Sequence, residues 1–370
     1  MNAPADPTAW VLWGGFALGA IFGAVAARTN FCTMGALSDV VNIGHWGRVR
    51  MWLLAIAVAV IGASLLAYTG QVDLGKTIYQ RPRLPWLSLL LGGTLFGIGM
   101  SLAGGCVNKN LIRLGAGSVR SLVVLVFVAI AAYMTLKGLF GQWRASWLDP
   151  VAIDLAALGL PDQSLATMLA LASGLAAPAA LLVTAGVVAA ALLAFVFADQ
   201  RFRANALQAG GAAMLGLLVV VGWYLTGHIG YGENPETLET VFFATNSRTL
   251  ESMSFVAPAA YSLELLMLWT DKSLHASFGI ATALGVAAGS LAHALASGSF
   301  RWEGFASLAD LRNQLAGAVL MGFGGVTAIG CTVGQGISGL STLALGSVIA
   351  TAGIVAGGVA TLKVIAMREG

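Results

Sequence analysis

Three cysteines carry the most distinctive chemistry in this chain, because Cys32, Cys106 and Cys331 are odd in number and far apart. They form no C-x-x-C pair, and His45, His228, His275 and His293 have no ligand spacing with one another. A full disulfide framework, a zinc site and a thioredoxin-like centre are therefore excluded, and no metal or cofactor is expected. A buried cysteine is usually just a small apolar residue. These three share a context, however. Each has a glycine nine positions upstream (Gly23, Gly97, Gly322) and a small residue four further back (Gly19, Gly93, Ala318). Small-x-x-x-small spacing clears one helix face so that another backbone can come close. After each Cys a short polar, glycine-rich stretch leads to Gly47-Arg48-Val49, Gly117-Ser118-Val119 or Gly346-Ser347-Val348, which opens the next apolar run. A fourth copy is read at Gly285 and Gly289, with Gly298 in the place of the cysteine. Glycine-rich breaks such as Gly104-Gly105-Cys106-Val107-Asn108-Lys109-Asn110 expose backbone amides that suit an anion. A thiol held there is a soft, weak hydrogen-bond donor and acceptor.

The elements that must position these residues are membrane helices. Charged residues make up 9% of the 370 positions, hydrophobic residues 58%, and the mean hydropathy is +0.85. A soluble domain carries about 25% charge, so a water-facing globular protein is excluded. The net charge of +3 is carried by loop ends and requires no nucleic acid. Candidate spans are 10–27, 51–68, 86–105, 119–139, 165–197, 209–226, 255–269, 276–296, 313–329 and 343–366, with Pro178 kinking or splitting the long fifth run. Trp10, Trp13, Trp52, Trp86, Trp143, Trp147, Trp223 and Trp269 lie near run ends, as a headgroup belt does. The loops after the first two runs both carry a basic excess, Arg28, Arg48 and Arg50 in one, Lys76, Arg81 and Arg83 in the other. On the positive-inside rule a segment between them does not cross fully, and the stretches after the cysteines are the candidates. The expectation is an all-α integral membrane protein, a single transmembrane domain of about nine spans with short re-entrant helices and loops. Its pseudo-symmetric halves, 1–160 and 200–370, are joined by 161–199, and each holds two motif repeats. Duplicated halves with broken helices are a transporter architecture.

Three segments resemble the YeeE/YedE family of bacterial inner-membrane proteins, whose characterised members take up thiosulfate. They are 28–39 around Cys32, Gly104-Gly105-Cys106-Val107 with 113–118, and 330–341 around Cys331. The resemblance implies a multi-pass protein of the inner membrane, with loops dipping to a constriction lined by the three cysteines. Neutral thiols would there relay thiosulfate, or a closely related sulfur anion, by S–H hydrogen bonds, with Cys106 the most critical. It also implies a small soluble sulfur-carrier or sulfurtransferase protein as a partner. The chain departs from the family at Asn108-Lys109-Asn110, where relatives usually have small or aromatic residues.

Neutral thiols suit this task, because a thiolate 4 Å from an anionic charge costs about 4 kcal/mol at an effective dielectric of 20. Arg28, Lys109 and Arg113 are possible cations at the mouths, or solvated loop ends. Asn30, Asn108, Thr332 and Gln335 stand beside the cysteines, with Gly105 and Gly330 immediately before two of them. They can donate to oxyanion oxygens or cap half-helices. His293 and Glu264 lie in apolar runs, where interhelical hydrogen bonding or helix-end placement accounts for them. No G-x-x-x-x-G-K-[ST] is present, so transport would not draw on ATP bound by this chain. Two alternatives remain at this level: a membrane sulfurtransferase or thiol redox protein that forms a cysteine persulfide, and a transporter of a selenium or other sulfur compound.

Overall fold

A backbone inside a bilayer must satisfy its own hydrogen bonds, so the apolar runs become helices. The computed structural model describes residues 7–234 and 238–369. In chain order the helices are α1 Pro7–Thr29, α2 Thr33–Ile43, α3 Gly47–Tyr68, α4 Trp86–Leu102, α5 Val107–Gly115, α6 Val119–Lys137, α7 Leu139–Trp143, α8 Leu165–Ser173, α9 Ala177–Phe197, α10 Gln200–Ala204, α11 Ala206–Tyr224, α12 Val256–Met267, α13 Phe278–Ala296, α14 Leu308–Thr327 and α15 Leu345–Glu369. Among the described residues α1, α3, α4, α6, α9, α11, α13 and α15 belong to the eight stretches long and apolar enough to cross a membrane. The 20-residue α14 begins with Asp310, Arg312 and Gln314 and packs against α4 and α6, in the place expected of a ninth. The run 255–269 forms only the twelve-residue α12. At 1.5 Å per residue that is about half a bilayer.

The long run 165–197 is split rather than kinked. Gly174, in left-handed backbone (φ 70°), ends α8, and Pro178 sits in the first turn of α9, where its missing N–H costs nothing. The two basic loops lie at opposite ends of the 22-residue α3. Their shared sign is therefore not explained by a failure of α3 to cross, although the expected stretches after Cys32 and Cys106, as helices of 11 and 9 residues, do stop short. It places cations at both ends of the bundle.

The glycine spacings pack helix against helix. A Cβ on Gly19 or Gly23 of α1 would collide with the carbonyls of Thr282 or Val286 on α13, and one on Gly285 or Gly289 would collide with those of Phe16 or Ala20 on α1. The same reciprocal pattern joins α4 and α15: Gly93 and Gly97 meet Ala350 and Ile354, and Gly353 and Gly357 meet Leu90 and Thr94. Two further pairs, α3 with α11 through Gly216 and α6 with α14 through Gly322, complete the scheme. Thus α13 stands to α1 as α15 stands to α4.

This corrects the position of the fourth unit. Gly285 and Gly289 correspond to Gly353 and Gly357, on the helix that comes after a break, not on the one that precedes it. The cysteine-free unit is α11 to α13: α11 runs on as a π-helical turn to Ile229, and the break lies between that turn and α12. Cys32 and Cys106 are the residues just before α2 and α5, and the residue just before α12 is Phe255, fully buried. Gly298 only ends α13, with φ 65° and a Ser299 N–H to Ala294 C=O bond of 2.9 Å. A small-x-x-x-small face needs a matching face on its partner, so spacing alone could not separate the two roles.

Candidate functional site

Each cysteine stands at a helix break. α1, α4 and α14 end alike, in a left-handed residue two before the thiol, Asn30, Gly104 or Ile329. The next N–H bonds back into the helix, Phe31 to Ala26 at 3.0 Å, Gly105 to Met100 at 2.8 Å and Gly330 to Gly325 at 2.8 Å. Left-handed backbone is strained for β-branched Ile329, at a cost of about 1–3 kcal/mol. The chain then reverses into α2, into α5, or into a π-helical turn at Gly334–Gly339. Helices of 11 and 9 residues are too short to cross.

Sulfur atoms cap the backbone beyond two of these breaks. Gly35 N–H donates to Cys32 Sγ at 3.3 Å, and Gly334 N–H donates to Cys331 Sγ at 3.4 Å. The Lys109 amide faces Cys106 from the same third position, though α5 has no closed side-chain cap. An amide that donates to sulfur leaves the S–H free to donate elsewhere. The thiols are 8%, 2% and 0% exposed, in chain order, and Cys106 has both other cysteines in its neighbourhood.

Around them lie polar atoms with unused capacity. Thr332 is buried, and its hydroxyl, with no nitrogen or oxygen partner, faces the Cys106 thiol. Asn108 is buried with Oδ1 unpaired. Gln335 differs from the expected donor role: its Nε2 donates to Ala328 C=O at 2.6 Å, and the unpaired atom is the acceptor Oε1. Trp52, expected in the headgroup belt, is 6% exposed, and its unpaired indole N–H lies beside Gly336 in the turn after Cys331. Trp223 is also inside, edge-on to Tyr79 and donating to Ser341 Oγ at 3.0 Å, whereas Trp13, Trp147 and Trp269 are exposed as a belt requires.

Cations flank both sides of this centre. On the side of Cys32 and Cys106, Lys109 Nζ donates to Asn30 Oδ1 at 3.0 Å and lies near both thiols. Arg113 holds Gly104 C=O at 2.9 Å, while Arg48, paired with Asp39 at 3.3 Å, reaches over Gly35. Arg28 is exposed on the last turn of α1 and is not brought to the thiols. On the other side a cavity of about 480 Å³ reaches Gly330 and Gln335, and Arg81, Arg83 and Arg144 line it. Tyr79 lies between this cavity and Cys331. Loops build that wall: Gln163 donates to Arg81 C=O at 2.7 Å and accepts from Gly346 N–H at 3.2 Å, and Arg144 pairs with Asp149 at 3.2 Å. Arg144, Gln163 and Tyr79 carry no sequence signal for this site, and Arg48 carries only the basic excess of the first loop. For Arg81 and Arg83 a signal existed, the basic excess of the second loop, but it was read as topology. Glu264 is structural, a buried partner of Lys137 between α12 and α6, and His293 sits in the last turn of α13.

A multi-pass helical bundle with broken helices meeting at its centre and cations on both sides has the architecture of a membrane transporter. Comparison with known proteins makes this particular. The chain belongs to the sulphur transport family, whose model matches residues 28–360, so the YeeE/YedE resemblance is borne out. It is 26% identical over 343 residues to thiosulfate transporter TsuA of Escherichia coli (strain K12), covering 88% of this chain and 87% of that one. Over 151 residues it is 28% identical to thiosulfate transporter TsuA of Spirochaeta thermophila, covering 40% of this chain and 44% of that one.

Proposed function

We propose that this protein is a thiosulfate permease of the bacterial inner membrane and that Cys32, Cys106 and Cys331 relay the anion as neutral thiols. The observation that carries the reading is the meeting of the three thiols, two of them capping sulfurs, with the Thr332 hydroxyl facing Cys106 and the unpaired buried Trp52 Nε1 beside the turn after Cys331, between two basic approaches. A buried donor without a partner is costly, and an oxyanion in transit satisfies it. The substrate class is supported by the names of the relatives. Arg81, Arg83 and Arg144 gather the anion at one mouth. Lys109, Arg113 and Arg48 receive it at the other, where a small soluble sulfur-carrier protein is the expected acceptor. Gly105 and Gly330 present the backbone, and Asn30 and Asn108 hold the Lys109 side in shape. S–H donors bind an anion weakly enough to release it to the next site, as conduction requires.

The test is uptake of labelled thiosulfate into proteoliposomes, competed with sulfate, sulfite and selenite. Thiosulfate uptake that only thiosulfate-like anions inhibit, with no sulfur retained on the cysteines by mass spectrometry, supports the relay. A stoichiometric gain of one sulfur on Cys106 would replace it with a persulfide mechanism, and preferred uptake of selenite would replace the substrate.

A further inference from the structure

The arginine-lined cavity also contains a carboxyl group that the relay does not use. Glu251, in the break between α11 and α12, lines this cavity and accepts Ser247 N–H at 2.8 Å. Among the described residues no cation pairs with it. The groups around it are Tyr79, from the segment beside Cys331, and Tyr261 of α12. Arg81, Arg83, Arg144 and Asp149 stand elsewhere on the cavity wall, and Arg248 is exposed outside it.

An anion pathway is an unfavourable place for an unpaired negative charge. With Glu251 ionised, three arginines against two carboxyls leave the cavity one net positive charge; with Glu251 protonated it has two, the complement of a dianion. Burial already pushes the Glu251 carboxyl above the usual carboxylate range, against the Ser247 hydroxyl and the Ser247 and Asn246 amides that favour its ionised form. Tyr79 lies close to both Glu251 and Cys331, so an anion waiting at Cys331 feels the state of this carboxyl. By linkage, a dianion that binds the protonated form better draws a proton in with it.

Resting on the permease reading above, we propose that Glu251 is the proton-coupling group, so that the protein is a proton–anion symporter. Glu251 takes its proton from the water of the cavity as the anion enters. The Tyr79 hydroxyl and the Cys331 thiol, next in line, carry the proton onward with the anion.

Proteoliposomes clamped at zero potential with potassium and valinomycin test this with labelled thiosulfate as the probe. Counterflow exchange at equal pH on both sides examines transport alone, and its absence in the wild type would overturn both readings. With counterflow present, one pH unit, acid outside, should give about tenfold accumulation for one proton per anion, with acidification of an internal pH dye. Wild-type uptake indifferent to the gradient would overturn coupling while leaving the permease intact. Glu251→Gln should keep counterflow and lose both accumulation and dye response, and Glu251→Asp should restore them. Accumulation that persists in Glu251→Gln would remove Glu251 from the mechanism. If Glu251→Gln does not fold, the decision falls to Glu251→Asp: an altered pH dependence of uptake supports the assignment, and an unchanged one overturns it.

Discussion

Replacing Cys331 by alanine and by serine separates two roles that one sulfur fills. As a cap, Sγ accepts the Gly334 N–H at 3.4 Å inside a segment that is 0% exposed at Cys331. Alanine leaves that amide unpaired, at a cost of about 1–3 kcal/mol, whereas serine is a better cap and should be neutral or mildly stabilising. As a relay site, the thiol donates to an anion in transit, and losing a hydrogen bond to a charged partner costs about 1.5–3 kcal/mol, or a rate lower by roughly ten- to a hundredfold. Serine does not restore this step, because a hydroxyl binds anions and neighbouring carbonyls more tightly and a site that holds does not pass on. The measurements are the apparent unfolding midpoint in detergent and the initial rate of labelled thiosulfate uptake per folded protein. The expected pattern is a destabilised Cys331→Ala slowed roughly ten- to a hundredfold per folded protein and a stable Cys331→Ser at least about tenfold slow. Uptake in Cys331→Ala that falls only with the folded fraction would refute the relay and leave the sulfur as a cap.

The packing and the charge set two further outcomes. Gly289→Ala drives a methyl into the Ala20 carbonyl of α1, so it should cut the folded yield severely on size-exclusion chromatography; Gly186→Ala, on α9 with open space at that position, should not. Neutralising Arg81, Arg83 and Arg144 together to Gln should slow uptake at low substrate by about tenfold at low ionic strength. The gap to wild type should close in about 1 M salt, where the screening length is about 3 Å. A loss that ignores salt would assign these arginines to wall structure instead.

Much of the framework was legible because bilayer thickness and backbone hydrogen bonding leave few options for an apolar run. The breaks after Cys32, Cys106 and Cys331 were legible as well, since glycine and polar residues inside such runs must line something other than lipid. Hydropathy, however, reports that a side chain leaves water and not whether it meets lipid or protein. Trp52 and Trp223 therefore read as belt residues although both are buried. For the same reason Gly285 and Gly289 announced a close helix contact without naming α1 as its partner.

By itself the sequence determined a multi-pass helical protein, three thiols at equivalent breaks, and the family. Only the tertiary structure decided that α13 is the partner of α1 and that Phe255 stands before α12 where the other units have a thiol-bearing break. It also decided that Arg81, Arg83, Arg144 and Glu251 face one cavity. Those residues are far apart along the chain, and the helices that bring them together are matched by the reciprocal fit of glycine faces. Such a fit is a property of two surfaces at once, and neither surface specifies it alone.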